Sequence, residues 1–288
     1  MECRIFQDLI PEFLIARLPL ILVLLCACGA RGMAQDSGRA PSPAAAQAAP
    51  QNQTTITAVP NRPTFSTTAE TVQTGVFEVE YGLEAAAGHQ NINGLLKLGL
   101  VKNLELRFAN NPVERDGGTA ALGDSAVGFK YRFTKDGGVL PTLSFLYTAT
   151  LPTAGDGLGA SALNHSVGIL VSKDFGKHHV DFNENAEWRG RPEGGGFDRD
   201  YFTAFAYSYR VTVKVGFAAE VAGFSRVNAA IPPTVTVLQA LTYNVSTRLV
   251  LDGGCYVAAR GDLPRVTFFA GLTYAVADLS RHFRFTHH

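Results

Sequence analysis

The sequence predicts an all-β protein: a transmembrane, antiparallel, up-and-down β-barrel of about twelve strands. Two observations carry this prediction. From Gly75 to Val276, stretch after stretch alternates apolar and polar side chains. Successive side chains of a strand point to opposite faces, so each stretch presents one apolar and one polar face. Each runs about nine to eleven residues, the length a tilted strand needs to cross a bilayer. The connections also alternate between short and long. Outer-membrane barrels show that pattern, with short periplasmic turns and longer outer loops, and a Greek-key sandwich has less reason to.

The chain opens on an export signal. Leu18–Ala30 is an apolar run preceded by Arg4 and Arg17 and followed by small residues. It is too short for a transmembrane helix and matches a secretory signal, with cleavage expected after Ala34. Leu25-Cys26-Ala27-Cys28 also loosely matches a lipoprotein box, with Cys28 as the lipidated residue. Residues 35–70 are rich in Ala, Pro and Gln and poor in large apolar side chains. Such a segment buries too little apolar surface to offset its ordering entropy, so a disordered tether is expected there. The barrel is expected over 71–288.

Twelve strands are expected at 76–86, 91–101, 104–110, 123–133, 139–150, 164–173, 179–189, 199–209, 213–224, 234–243, 247–257 and 265–276. Tight turns are expected at 101–103, 135–138, 174–178, 210–212 and 244–246, where Asn, Asp, Gly, Ser and Thr supply turn chemistry. Longer loops are expected at 111–122, 151–163, 190–198, 225–233 and 258–264. The segments 100–108, 209–217 and 243–251 repeat one hairpin layout around such turns.

Face parity separates two environments. Phe77, Val79, Tyr81 and Leu83 oppose Glu78, Glu80, Gly82 and Glu84; Val127, Phe129, Tyr131 and Phe133 oppose Asp124, Ala126, Gly128, Lys130 and Arg132. On the last strand Val266, Phe268, Leu272, Tyr274 and Val276 oppose Thr267, Phe269, Gly271 and Thr273. Arg or Lys on the lipid face costs about 2–4 kcal/mol at mid-depth, so the charged face must look inward. The expected lumen-lining residues are Glu78, Glu80, Glu84, Lys97, Glu105, Arg107, Asp124, Lys130, Arg132, Lys214, Glu220, Arg248 and Asp252. A lumen neutralised by its own salt bridges is the simpler role for them, and a substrate-selective ring the sharper one. Tyr81, Tyr131, Tyr201, Tyr207, Tyr209, Tyr243 and Tyr274 suit aromatic girdles.

Little points to enzyme chemistry. His165 and Ser166 are adjacent on a strand and face opposite sides, so they cannot meet as base and nucleophile. Parity likewise turns Glu184 away from Asp181 and Glu187. His178-His179 and His287-His288 lack a completing ligand set, and the glycine-rich runs lack a following helix. No catalytic residue, metal or cofactor is expected. With the signal removed, Cys255 is the one cysteine and forms no intrachain disulfide. The 25 basic and 25 acidic residues lose three of each with the signal, leaving 22 and 22, and nothing suggests nucleic acid.

Several segments carry a family resemblance: TVQTGVFEVEYGLE (71–84), LLKLGLVKNLELRF (95–108), LGDSAVGFKYRF (122–133), LPTAGDGLG (151–159) and FFAGLTYAV (268–276). Together they resemble the outer-membrane transporters grouped with a protein of meta-cleavage phenol degradation. The resemblance covers nearly the whole barrel, and its Leu-Gly-Asp and Leu-Pro-Thr segments are its most specific parts. It implies an outer-membrane transporter or channel, sometimes in aromatic-compound pathways. Outer-membrane barrels commonly end on an aromatic residue read by the assembly machinery, whereas this chain runs on past Phe285 to His288.

The expectation is therefore a monomeric barrel in the outer-membrane lipid of a Gram-negative-type cell, inserted by that machinery. It would pass a small, hydrophobic or aromatic solute by diffusion, through a narrow lumen or a lateral gap in the wall. The alternatives are a closed structural or adhesion barrel, with Glu78, Glu80, Lys130, Arg132, Lys214 and Glu220 salt-bridged, and a soluble secreted sandwich.

Overall fold

The computed structural model describes residues 55–155, 157–228, 231–261 and 264–279. The expected signal, the first part of the expected tether and the carboxy-terminal Phe283 and Phe285 lie outside them. Alternation gives strands at β1 (Val76–Ala86), β2 (His89–Val101), β3 (Leu104–Asp116), β4 (Thr119–Ala121), β5 (Ser125–Thr134), β6 (Thr142–Leu151), β7 (Asn164–Phe175), β8 (His178–Gly190), β9 (Phe197–Arg210), β10 (Val215–Phe224), β11 (Thr234–Asn244), β12 (Leu249–Arg260) and β13 (Val266–Asp278). All pairings between them are antiparallel, and β1 pairs with β13 to close the ring. The short β4 only extends β3 beyond the wall, so twelve strands form the barrel.

The faces follow parity. On β5, Val127, Phe129, Tyr131 and Phe133 are exposed, while Lys130 is fully buried. On β13, Phe268 is 64 % exposed and its neighbours Thr267 and Phe269 are buried. A row of exposed large apolar side chains outside and buried charge inside inverts a soluble protein, and lipid is the solvent that makes it stable. At one end Tyr207 and Tyr209 flank His178, with ring centroids 5.8 and 5.1 Å away. This is girdle chemistry, an apolar body with a polar tip.

The tight connections cluster at that end. Asn103 turns β2 into β3 with φ 67°, a left-handed conformation that Asn tolerates. Gly176 does the same between β7 and β8 with φ 68°. Three details depart from expectation. Residues 111–122 are no loop: β3 continues to Asp116 and folds back as β4. Its partners are β2 on one side and β4 on the other, so the ladder persists beyond the membrane band. At the same far end β1 passes into β2 through Ala87-Gly88 alone, with Gly88 at φ 79°, so short and long connections do not alternate there. The β8–β9 connection is also shorter than expected, running 191–196.

The largest departure is inside. Residues 55–70, expected to belong to a tether, run with 71–74 through the barrel interior. Ala58, Val59, Ser66, Ala69 and Val72 are buried. The segment meets side chains from β1, β3, β7, β8 and β10, which surround a common space only if it lies in the lumen. It enters at the tight-turn end, where the Ala58 amide bonds the Thr247 carbonyl. It returns to that end at Gly75, whose amide bonds the Gly99 carbonyl, and β1 begins. Composition misses this because it weighs only apolar burial. Here the polar wall supplies the compensation, one hydrogen bond at a time.

Candidate functional site: a lumen occupied by the amino-terminal segment

The strands of the first hairpins place their carboxylates and amines inward at two-residue spacing. Glu78 accepts the Val59 N–H at 2.8 Å. Glu80 accepts the amides of Asn61 and Arg62 at 3.0 and 3.1 Å. Lys97, fully buried on β2, bridges the two carboxylates, 2.6 Å from Glu78 and bonded to Glu80, and donates to the Val59 carbonyl. On the opposite wall Glu220 takes the Phe65 and Ser66 amides at 2.7 and 2.6 Å.

Uncharged side chains continue the pattern. Asn183 accepts the Thr67 N–H at 2.6 Å and donates to the Thr67 carbonyl at 2.9 Å, pairing as a neighbouring strand would. Ser172 accepts the Ala69 amide at 2.7 Å and is itself bonded to Asp181. Asp181 also meets His179, which reaches Asp174 through its other nitrogen. Lys130 donates to the Thr68 carbonyl at 3.0 Å and stands 3.5 Å from Glu105, which accepts the Val72 amide at 2.8 Å. Ordinary salt bridges complete the fit: Arg62 with Asp252 at 3.1 Å, and Arg132 with Glu70. Opposite each other across the β1–β13 seam, Gly82 and Gly271 leave room for the Arg62 side chain: a Cβ on Gly82 would lie 2.2 Å from its Cζ.

Of the residues expected in the lumen, Glu78, Glu80, Lys97, Glu105, Lys130 and Glu220 are buried there and hold the segment. Asp252 and Arg132 grip it through Arg62 and Glu70. Arg107 supports Glu105 at 2.8 Å, and Glu84 bonds Asn93 and the Tyr256 hydroxyl. Three do not line the wall. Asp124 precedes β5 and accepts the amides of Thr153, Ala154 and Ala160, bracing the 152–163 loop. Lys214 and Arg248 sit in tight turns, one residue before β10 and β12 begin. Parity extended past the strand ends misplaced them.

Neutralisation among the wall's own charges, the simpler expectation, describes Lys97 but not Glu220, whose partners are amides of the segment. The signal for this was present: carboxylates recur at alternate positions on β1 without equal numbers of facing cations, so other donors had to meet them. Ser172 and Asn183 carried no charge and gave no such signal.

Parity also holds for the residues considered for catalysis. His165 meets the Tyr147 hydroxyl at 2.8 Å and Phe197 on the outer face, while Ser166 bonds Glu187 inside. Glu184 points outward and accepts the Thr203 hydroxyl at 2.7 Å. Among the described residues no group of His, Cys, Asp and Glu side chains could hold a metal ion.

The segment does not fill the lumen evenly. Toward β9–β12 a cavity of about 90 Å³ remains between it and the wall. Its lining includes Val59, Pro60 and Pro63 of the segment, and His179, Asp181, Ser208, Arg210, Gly216 and Thr242 of the wall. At the other end of the segment's arc, Phe65 packs edge-on against Tyr256 with centroids 5.0 Å apart, and Tyr256 stacks on Phe269.

Solved structures share this architecture. The NanC porin aligns with a TM-score of 0.54 at 10 % identity, over 69 % of this chain and 100 % of the porin. An outer membrane channel from Pseudomonas putida F1 aligns with a TM-score of 0.57 at 15 % identity, over 72 % of this chain and 97 % of that one. At such identities they establish the fold, that of an outer-membrane barrel. No curated protein matches the chain. The family described as "Putative MetA-pathway of phenol degradation" matches residues 60–276, which spans the lumen segment from Pro60 onward and all thirteen strands to within two residues of the end of β13. The chain belongs to that family.

Proposed function

We propose that this protein is an outer-membrane channel for small hydrophobic or aromatic solutes, moving them by passive diffusion. The observation that carries the reading is the cavity alongside the lumen segment. Family membership supports the solute class, because aromatic-compound breakdown needs its substrate inside the cell.

The protein acts as a monomer in the outer membrane, with the tight turns facing the periplasm. It reaches that membrane by a signal cleaved after Ala34 and is inserted by the assembly machinery. The test is reconstitution. Single-channel recording and phenol uptake into liposomes should both respond to the purified barrel. A barrel that inserts, as judged by its resistance to heat-induced unfolding in detergent, yet admits neither ions nor phenol would overturn the reading.

A further inference from the structure

Charge is distributed unequally between the two rims of the barrel. Every tight connection carries a cation: Lys102 between β2 and β3, Lys135 between β5 and β6, Lys177 between β7 and β8, Lys214 between β9 and β10, and Arg248 between β11 and β12. Spaced around one rim, they form a ring of positive charge. The carboxylates within and beside these turns are already engaged, Asp136 by Lys173 at 2.8 Å and Asp174 by His179 at 2.9 Å. Among the described residues Lys102, Lys177, Lys214 and Arg248 form no ion pair. The opposite rim is mixed. There Arg115 lies between Glu114 and Asp116, and Arg191 pairs with Asp198 at 2.8 Å. Cations placed for solubility alone would show that interspersed pattern at both rims.

Each cation of the ring also has an exposed apolar neighbour. Val101 precedes Lys102, Phe133 stands two residues before Lys135, and Phe175 stands two before Lys177. Val213 precedes Lys214, and Val245 lies three before Arg248. The turn carrying Lys135 adds the exposed Val139 and Leu140. Apolar side chains in an aqueous turn gain nothing from their exposure, whereas at the edge of a bilayer they are buried among acyl chains. A lysine at that edge lays its stem along apolar surface and keeps its ammonium at headgroup depth. The group at that depth is a lipid phosphate. In phosphatidylcholine the phosphate is neutralised by the headgroup's own amine, and in phosphatidylglycerol it is not. A ring of cations without carboxylates therefore ranks headgroups by net charge.

We propose that the tight-turn rim is a binding surface for anionic phospholipid headgroups of the phosphatidylglycerol class. The cations meet the phosphates, and their apolar neighbours enter the first part of the acyl layer. The surface continues the lipid face of the wall, which ends at these residues. With the tight turns toward the periplasm, it faces the inner leaflet. The inference needs the barrel in a bilayer and does not depend on solute transport.

Two tryptophan positions read the two rims separately. Trp188, the single tryptophan of the chain, pairs across β7–β8 with the outward His165, away from the tight turns. Val213→Trp in a Trp188→Phe background puts the fluorophore at the tight-turn rim. Each protein is inserted into phosphatidylcholine vesicles containing either dibrominated phosphatidylglycerol or dibrominated phosphatidylcholine. Quenching then gives the relative association of the two lipids beside that tryptophan. The anionic lipid should be favoured at least about threefold at position 213 and stand near parity at Trp188. The preference should fall to parity in Lys177→Gln/Lys214→Gln/Arg248→Gln and survive in Arg115→Gln/Arg260→Gln/Arg265→Gln. Parity at position 213, equal preference at both rims, or a preference untouched by the first triple replacement would overturn the proposal. So would its loss on adding free glycerol phosphate at constant ionic strength, because the ring would then bind a soluble phosphate. The comparison of the two tryptophans needs no charge variant, so it decides the matter even if the triple replacement fails to fold. A barrel that admits no phenol would sink the channel reading and leave this comparison intact.

Discussion

Glu220 offers the sharpest measure of what holds the lumen segment. Its carboxylate sits on β10 with no cation among its bonded partners, and accepts the amides of Phe65 and Ser66 at 2.7 and 2.6 Å. Glu220→Ala removes both acceptors. Ser66 is 1 % exposed and would lose its partner in a site closed to bulk water. An unsatisfied buried donor costs about 1–3 kcal/mol. Phe65 is 38 % exposed, so water can replace much of its loss, and its share is taken at the low end of that range. The sum is about 2–4 kcal/mol of seating free energy, and each 1.36 kcal/mol is a factor of ten. Amide hydrogen exchange at Ser66 and Thr67 should therefore quicken by about 30- to 1000-fold, while the β1–β13 seam stays protected. Glu220→Gln keeps one acceptor oxygen and should show a smaller effect. The reasoning is refuted if exchange in the segment is unchanged, or if the seam loses protection equally, because the segment would then unseat only with the whole barrel.

Three further outcomes follow from the same structure. Lys97→Met leaves Glu78 and Glu80 buried side by side without their shared cation, and breaking a buried pair this way costs about 3–5 kcal/mol; urea titration of the barrel in micelles should show it, with Glu78→Gln restoring part. Leu272→Arg puts a charge on the lipid face of β13 and should cost about 2–4 kcal/mol in the same titration, whereas Val213→Arg, in a tight turn and 81 % exposed, should cost under about 1 kcal/mol. In the β5–β6 turn, burial works to raise the Asp136 carboxyl, but hydrogen bonds from Lys173 and the amides of Asp174 and Gly138 outweigh it and hold it below its ordinary range. A depressed folded value means the turn's stabilisation is complete above the unfolded Asp value near 3.9 and disappears as pH falls through the folded one. Carbon-detected NMR should give a midpoint for Asp136 below about 3.9, and a midpoint above that would contradict the assignment.

What the sequence made legible was whatever obeys period two. The outward row Val127, Phe129, Tyr131, Phe133 and the inward Lys130 could be read from alternation alone, because lipid and lumen impose opposite rules on neighbouring residues. Closure by β1 and β13 is what an up-and-down barrel requires of its first and last strands. The segment 55–74 could not be read this way. It has no period, and its stability comes from acceptors such as Glu105 and Asn183 that lie 33 and 116 residues away in the chain. Asp124 and Lys214 failed for a local reason: parity has meaning only while the backbone stays extended, and both lie just before a strand begins.

The wall holds the lumen segment largely by its main chain, with ion pairs at Arg62 and Glu70 added to it. Glu80, Glu105, Glu220, Asn183 and Ser172 touch amides, which every residue but proline supplies. The barrel thus tells its occupant apart by where prolines fall more than by which side chains it carries. Thr67 or Ala69 could change to many residues of similar size without loosening the fit, while a proline at either would delete a bond. The socket therefore recognises an extended main chain first, and the Arg62 and Glu70 side chains second.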